Sequence, residues 1–338
     1  MLTGYILFFP VVLQKELVFI PSWAVEIAAG APGSSEIMGP KIPFKLDDRL
    51  GYFSRSGELG LTAEIDYEAV VSDNYFINYS SLSQNLVLQN SSGEILGNIV
   101  TEGLPFLLNG RSFIISPDRL TVTEHEEGKI LWSVTPGSMI TSIDCNSSET
   151  LIGLMNGKVF LYNRAGEKLF SFFSTDSRYS IVYACALSDD GRYMAVVTGL
   201  YPQQLICFES RNELITVILR KDLDVPFRRN LYLDYSSDGK LLYLEAPEGL
   251  DVINSTGIPK ESIRFNGIVT ASELGGVSEL SYLHVVNEGN SILRIFRPDV
   301  GPIAEFQLPS GGLYFNPDER CVYLGWNGII VRYDLIEG

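Results

Sequence analysis

A strand–turn–strand unit with a glycine at its turn recurs along this chain, and its spacing constrains the fold more than any other feature. Phe113–Gly137 shows the unit most regularly, with short apolar or alternating stretches separated by turns at Pro117-Asp118 and Glu127-Gly128. Such alternation between turn residues is typical of half-buried antiparallel strands. The turn residues of the copies are Gly57, Gly93, Gly128, Gly166, Asn212, Gly257, Gly301 and Gly338, which lie 36, 35, 38, 46, 45, 44 and 37 residues apart.

A second hairpin precedes most copies of this unit. Its turns follow the pattern Ser/Asn-x-Asp-Gly within Ala186–Tyr193, Asp234–Leu241 and, less regularly, Tyr314–Cys321. Two hairpins per repeat give four strands in roughly 40 residues, and that period is typical of a β-propeller. We therefore predict an all-β fold built of four-stranded antiparallel blades.

The number of blades follows from counting strands on either side of the glycine turns. Eight strands precede a turn and seven follow one, so the last blade lacks its outer strand. An unpaired edge invites aggregation, and Leu17–Ile20 is placed to cover it. This closure gives eight blades, of which the first would contain Trp23–Ile27, Ile42–Leu46, Leu50–Ser54 and Glu58–Ile65. The alternative is seven blades with Glu58–Ile65 as the closing strand.

The N-terminal segment, residues 1–16, contains the apolar run LTGYILFFPVVL at residues 2–13. The run is too short for a spanning helix, which needs about 20 apolar residues, and it lacks a basic stretch in front. It could be the remnant of a signal or anchor, a short membrane-associating end, or a buried terminal strand. Its apolarity favours an export or anchor segment, which would attach the protein to a membrane. Residues 17–338 then form a single propeller domain.

The charge and the cysteines exclude two classes of function. A net charge of −16 without a dense basic stripe opposes binding to nucleic acid. The cysteines are widely spaced without a CxxC pair, which disfavours disulfides and zinc sites. We predict that they are buried apolar residues. They are Cys145, Cys185, Cys207 and Cys321.

One repeat resembles a known family. Glu127–Trp132 with Gly137 is similar to the TGKxLWxxxxG signature of PQQ-like repeats, and the turns SDDGRY and SSDGKL resemble those of bacterial WD-like propellers. The PQQ-like family includes quinoprotein dehydrogenases and non-enzymatic β-barrel-assembly scaffolds of bacterial envelopes. The resemblance implies a monomeric scaffold for protein partners, periplasmic or membrane-anchored facing the periplasm, with the cytoplasm as the alternative. Phe170 and Gly97 replace Trp132 in neighbouring repeats, so we interpret Trp132 as a blade-packing residue.

No catalytic motif is evident in the sequence. The two histidines, His125 in a predicted exposed turn and His284 in a strand, are isolated and form no triad or metal site. We therefore predict no catalysis, cofactor or metal. The alternative is an enzyme that uses the central channel, either a metal-assisted hydrolase of the lactonase type or a quinoprotein-like oxidoreductase. Three tryptophans are too few for the floor of a quinone site.

Three long loops in adjacent repeats are the best candidate for a binding site. They are Ser174–Ser180, Gly199–Gln204 and Lys221–Asn230. In a propeller all three open on the same face and combine aromatic residues with arginine, the types enriched in binding hot spots. The alternative is that they are solvated insertions whose aromatic residues pack locally. The predicted partner-binding residues are Arg178, Tyr179, Tyr201, Gln203, Phe227, Arg228 and Arg229.

Overall fold

The computed structural model describes residues 17–27, 37, 39–80, 85–174, 176–212, 214–308, 313–318 and 321–337. The predicted N-terminal segment and the turn at Gly338 lie outside these residues. Every regular element in the described part is a β-strand. Among these residues, none forms a helix with the length and apolar character needed to cross a lipid bilayer.

The strands follow one another in blade order. The first is β1 (Leu17–Glu26). Blades one to three contain β2 (Lys41–Leu46), β3 (Arg49–Ser54), β4 (Leu59–Glu64), β5 (Glu68–Val71), β6 (Tyr75–Tyr79), β7 (Asn85–Asn90), β8 (Ile95–Val100), β9 (Leu104–Leu108), β10 (Arg111–Ile115), β11 (Val122–Glu126) and β12 (Lys129–Val134). Blades four and five contain β13 (Ile140–Cys145), β14 (Glu149–Leu154), β15 (Lys158–Asn163), β16 (Lys168–Phe173), β17 (Val182–Leu187), β18 (Tyr193–Thr198), β19 (Gln204–Arg211) and β20 (Leu214–Asp222). Blades six to eight contain β21 (Leu233–Tyr235), β22 (Leu241–Ala246), β23 (Gly249–Asn254), β24 (Pro259–Arg264), β25 (Ile268–Glu273), β26 (Ser281–Asn287), β27 (Asn290–Arg297), β28 (Gly301–Leu308), β29 (Tyr314–Asp318), β30 (Cys321–Trp326) and β31 (Ile329–Glu337).

Eight antiparallel sheets form the ring, which confirms the eight-bladed all-β propeller. Seven sheets have four strands in the described residues, and blade one shows three, in the order β2-β3-β4. First strands of neighbouring blades contact each other, as β13 with β17 and β17 with β21, which places them around the central axis. Blade eight has the order β1-β31-β30-β29, so the N-terminal strand closes the ring as predicted.

The assignment of Trp23–Ile27 to the first blade is wrong. β1 runs on through Pro21, and Trp23 pairs with Arg332 of β31. The pairing shifts by one residue between Pro21 and Trp23. Because proline cannot donate to a ladder, a bulge at this point lets the strand continue instead of ending it.

Contacts between blades repeat at the glycine turns. A β-carbon at Gly57 would lie 3.0 Å from the Trp23 ring, and one at Gly166 would lie 2.6 Å from Trp132. The turn of each of these blades therefore packs against the outer strand of the blade before it. Trp132 also stacks on Tyr162 of blade four, with ring centroids 6.2 Å apart. This confirms that Trp132 is a blade-packing residue.

The structure confirms the prediction for the cysteines and corrects the one for His125. All four cysteines are buried and free, as predicted. His125 does not lie in an exposed turn: it is buried in β11, where burial lowers its pKa. The strand extends one residue beyond His125, so the turn begins only at Glu127. His284 contacts Thr270 through Nδ1 at 2.7 Å, and burial lowers its pKa as well.

Candidate functional site

The three long loops all leave blade five at the same end of its sheet. Val182 pairs with Thr198, Thr198 pairs with Gln204, and Gln204 pairs with Asp222. These four residues are the loop-side ends of β17, β18, β19 and β20. The predicted shared face is therefore confirmed by the register of the strands.

Gln203 joins the Gly199–Gln204 loop to the Lys221–Asn230 loop through hydrogen bonds. Its Nε2 donates to the Phe227 carbonyl at 3.0 Å, and its Oε1 accepts the Phe227 N–H at 2.8 Å. Its own carbonyl accepts the N–H of Leu223 at 2.8 Å. Only 1% of Gln203 is exposed, so it cannot meet a partner directly. We assign it the role of holding the Lys221–Asn230 loop in place.

Arg229 and Phe227 also serve the conformation of this loop. Arg229 forms an ion pair with the buried carboxylate of Glu245 and donates two hydrogen bonds to it. These hydrogen bonds raise the pKa of Arg229 above its usual value. The Arg229 guanidinium lies 5.5 Å from the centre of the Phe227 ring. Phe227 packs against the apolar cluster shared by blades five and six. Local packing, the alternative reading of the loops, is therefore correct for Phe227.

The other four predicted residues form a contiguous exposed surface, here called the loop patch: Arg178, Tyr179, Tyr201 and Arg228. The two tyrosine rings are 6.5 Å apart in an edge-to-face arrangement, with 49% of Tyr179 and 47% of Tyr201 exposed. Arg178 lies 5.6 Å from the Tyr179 ring centre, and Arg228 donates to the Tyr201 hydroxyl at 2.7 Å.

Two residues that support the loop patch were not found from the sequence. Ser177 Oγ accepts the N–H groups of Leu200 and Tyr201 at 2.9 and 3.1 Å, which joins the first two loops. Glu245 accepts the N–H of Tyr232 at 2.8 Å in addition to Arg229. A single carboxylate within the apolar strand Leu241–Ala246 was a signal for Glu245, whereas nothing distinguishes Ser177 from other loop serines.

A second group of chemically reactive side chains lies on and beside the innermost strands of blades four to seven. Its four carboxylates are those of Asp144 on β13, Asp189 after β17, Asp234 on β21 and Glu273 on β25. Burial and, second, Asp234 raise the pKa of Asp144 to about 7, although Asp144 accepts the N–H of Leu187 at 2.6 Å. Burial raises the pKa of Asp234 to about 6. Burial and neighbouring acids also raise the pKa of Asp189 and Glu273. In the described part of the chain, no three His, Cys, Asp or Glu side chains are grouped so that they could hold a metal.

Comparison with known proteins agrees with the architecture. A family model described as a β-propeller protein matches residues 1–338. An uncharacterized protein of Treponema pallidum (strain Nichols) is 22% identical over 346 residues, with 99% of this chain and 91% of the relative covered.

Solved structures of similar shape have little sequence in common with this chain. BamB from Moraxella catarrhalis has a TM-score of 0.61 at 11% identity, with 94% of this chain and 100% of that chain covered. The Dos1 propeller has a TM-score of 0.62 at 11% identity, covering 94% and 95%. The computationally designed Ika8 protein has a TM-score of 0.64 at 12% identity, covering 92% and 99%. These similarities establish the fold alone.

Proposed function

This chain belongs to a family of β-propeller proteins, and from that premise we propose that it is a non-catalytic scaffold that binds a protein partner through the loop patch. The observation that carries the proposal is the pair of half-exposed rings, Tyr179 and Tyr201, held between Arg178 and Arg228. Aromatic and arginine side chains carry much of the binding energy of protein interfaces. Since Gln203 already fixes the loops, little conformational entropy is lost on binding.

The charge of the loop patch indicates what kind of partner surface it fits. Within the described residues, Arg178 and Arg228 contact tyrosines and form no ion pair. The chain as a whole carries a net charge of −16, so this basic spot differs from its surroundings. Charge complementarity then favours a partner with an acidic face and steers its approach.

The proposed place of action is the bacterial cell envelope, with the protein acting as a monomer in the periplasm or anchored to face it. The resemblance of Glu127–Trp132 to PQQ-like repeats supports this, because envelope scaffolds occur in that family. A fusion of residues 1–40 to a reporter enzyme that is active only after export tests the proposal. Reporter activity is expected, and its absence would refute export directed by this segment.

The binding proposal is tested by co-purification of partners from cell envelope fractions, quantified by mass spectrometry. A protein recovered with the wild type should fall about fivefold or more with Arg178→Ala/Arg228→Ala, because both substitutions remove hot-spot side chains. Arg55→Ala/Arg211→Ala is the matched control, since these arginines are exposed elsewhere on the propeller, away from the loop patch. Equal recovery with the loop-patch variant and the control would refute the proposal.

A hydrolase in the central channel is the competing candidate, and one observation favours it. The pKa of Asp144, about 7, is near the value that suits a general base at neutral pH. Hydrolysis of lactone and ester substrates by the purified protein, with and without added Ca²⁺ or Zn²⁺, tests this candidate. Turnover that Asp144→Asn abolishes would replace the scaffold proposal, and no turnover under any condition removes the competing candidate.

A further inference from the structure

In six blades, one residue of the outer strand occupies the same register position relative to the neighbouring strand. Each of these strands has a one-residue bulge, and the residue after the bulge pairs with the central part of the neighbouring strand. The equivalent residues are Gly97, Trp132, Phe170, Leu219, Glu261 and Ala304. All are apolar or glycine except Glu261 on β24.

This position decides how closely the next blade packs. A β-carbon at Gly128 would lie 3.1 Å from Gly97, and one at Gly257 would lie 2.7 Å from Leu219. At Gly301, the corresponding turn of blade seven, no atom lies within 4 Å. The contact that the glycine turns of blades one to four and six make with the preceding blade is therefore missing between blades six and seven, and a cleft takes its place.

The cleft between blades six and seven has a volume of 220 Å³. Its apolar lining comes from Val252, Ile263, Phe296, Pro298 and Pro302. A second cavity of 260 Å³ shares part of this lining and continues along β28. Pockets that enclose drug-sized ligands measure about 300–1,000 Å³, so this cleft suits a single side chain.

The interface between blades three and four shows what such a space can hold. There Trp132 occupies the equivalent position and stacks on Tyr162, beside the turn at Gly166. In blade seven, Phe296 has the register position of Tyr162, since each pairs with the residue just before the bulge. Phe296 lines the cleft with only 4% of the residue exposed, and its ring already packs edge to face on Tyr243. An aromatic ring supplied from outside would therefore contact the part of Phe296 that faces the cleft.

The charged groups at the cleft indicate which charge a bound partner should carry. Arg264 pairs with Glu248 at 2.6 Å, and Arg294 pairs with Glu305 at 2.9 Å. Glu261 is exposed, and its side chain forms no hydrogen bond or ion pair within the described residues. The Glu261 carboxylate is therefore unpaired at the opening, where the exposed Lys260 precedes it in β24.

We propose that this cleft binds an aromatic side chain of a protein partner that is flanked by lysine or arginine. The ring fills the space between Gly301 and Phe296, and the basic residue pairs with Glu261. Val252 has the register position of Glu124, which accepts the indole N–H of Trp132. The cleft therefore lacks an acceptor there, and phenylalanine fits it better than tryptophan. This surface is separate from the loop patch, and the inference does not depend on the function proposed for that patch.

The test uses designed peptides and saturation-transfer NMR with the full chain. The peptide Gly-Lys-Phe-Lys-Gly, blocked at both ends, should bind the wild type. Replacing its Phe by Ala should weaken binding about tenfold or more, because the buried ring is lost. Replacing both Lys by Glu should weaken binding severalfold through repulsion from Glu261.

Variants of β24 locate the binding. Glu261→Trp should fill the cleft with its own indole and abolish binding, whereas Lys260→Trp places the same ring at the exposed bulge residue and should bind normally. Glu261→Gln should keep the dependence on Phe and lose the preference for Lys over Glu. Unchanged urea midpoints establish that the variants fold. Absence of saturable binding at about 10 mM peptide, or equal binding by Glu261→Trp and the wild type, would overturn the proposal.

Discussion

Replacing Glu124 by glutamine should strongly destabilise the propeller, because this buried carboxylate joins blades three and four. Only 1% of Glu124 is exposed. It accepts hydrogen bonds from Arg111 Nε and Nη2 at 2.9 and 2.6 Å and from Trp132 Nε1 at 2.6 Å. Arg164 also donates to it. Glutamine has nearly the same shape, but it removes the charge and turns one acceptor into a donor.

The magnitude follows from what remains around Arg111. Breaking a buried ion pair by removing one partner costs about 3–5 kcal/mol. Arg111 would keep its bonds to the carbonyls of Asn146 and Glu149, at 2.8 and 2.7 Å, and to the hydroxyl of Thr150 at 2.9 Å. These remaining partners place the expected loss at the lower end, about 3 kcal/mol.

Equilibrium urea unfolding measures the loss. The matched control is Glu126→Gln, two residues away on the same strand, where 62% of the side chain is exposed and Arg164 lies 3.4 Å away. An exposed pair of this kind contributes about 0–1 kcal/mol. A loss below about 1 kcal/mol for Glu124→Gln, or equal losses for the two variants, would refute the role assigned to the buried pair.

Three further predictions concern the channel, the loops and the blade contacts. The raised pKa values of Asp144 and Asp234 mean that the folded state holds protons which the unfolded state releases. The contribution of these two carboxyl groups to stability should therefore fall as pH rises from 5 to 8, by about 2 kcal/mol after halving for screening by water. The lowered pKa values of His125 and His284 act in the opposite direction, so the test is the difference between Asp144→Asn and the wild type. Urea unfolding of Asp144→Asn should show a weaker fall than the wild type, and an unchanged slope contradicts this. Gln203→Leu should leave two backbone groups of the Lys221–Asn230 loop unpaired, so amide hydrogen exchange in that loop should rise while β18 and β19 stay protected. Gly166→Ala should lower the urea midpoint more than Gly137→Ala, because both have positive φ but only Gly166 meets a neighbouring strand.

The propeller could be predicted because its repeats are regular where blades meet. The turn glycines that the structure describes have positive φ, and several of them lie against the outer strand of the preceding blade, so their spacing records the blade period. Aligning the repeats also paired Trp132 with Gly97 and Phe170, and the strand registers confirm that the three are equivalent. A contact made by most blades leaves its trace in most repeats.

Closure of the ring was only partly predictable. Pro21-Ser22 reads as the end of a strand, since proline removes a ladder donor. Whether the strand ends or bulges depends on the strand beside it, and β31 lies more than 300 residues away in sequence. No local pattern around Trp23 carries that information.

The composition of the proposed binding surface was predictable, but the roles of its residues were not. Arginine and aromatic residues in long loops indicate a surface, and Tyr179, Tyr201, Arg178 and Arg228 do form one. Gln203 was grouped with them because its loop is exposed on average. Its burial results from two hydrogen bonds to a residue 24 positions away, which only the folded chain brings together.

In this propeller, surfaces that are free to bind a partner arise where the chain departs from the regular repeat. A residue that follows the repeat is covered by the turn of the neighbouring blade, as Trp132 is covered by the turn at Gly166. It is therefore not accessible to a partner. Insertions around blade five create the loop patch by adding residues beyond the repeat. The cleft arises in the opposite way. Glu261 stands at a position where the other five blades have an apolar residue or glycine, and the turn at Gly301 makes no contact there. Because both surfaces are set on a rigid ring, the energy of binding is not consumed in ordering them, so even a small apolar cleft can contribute to affinity.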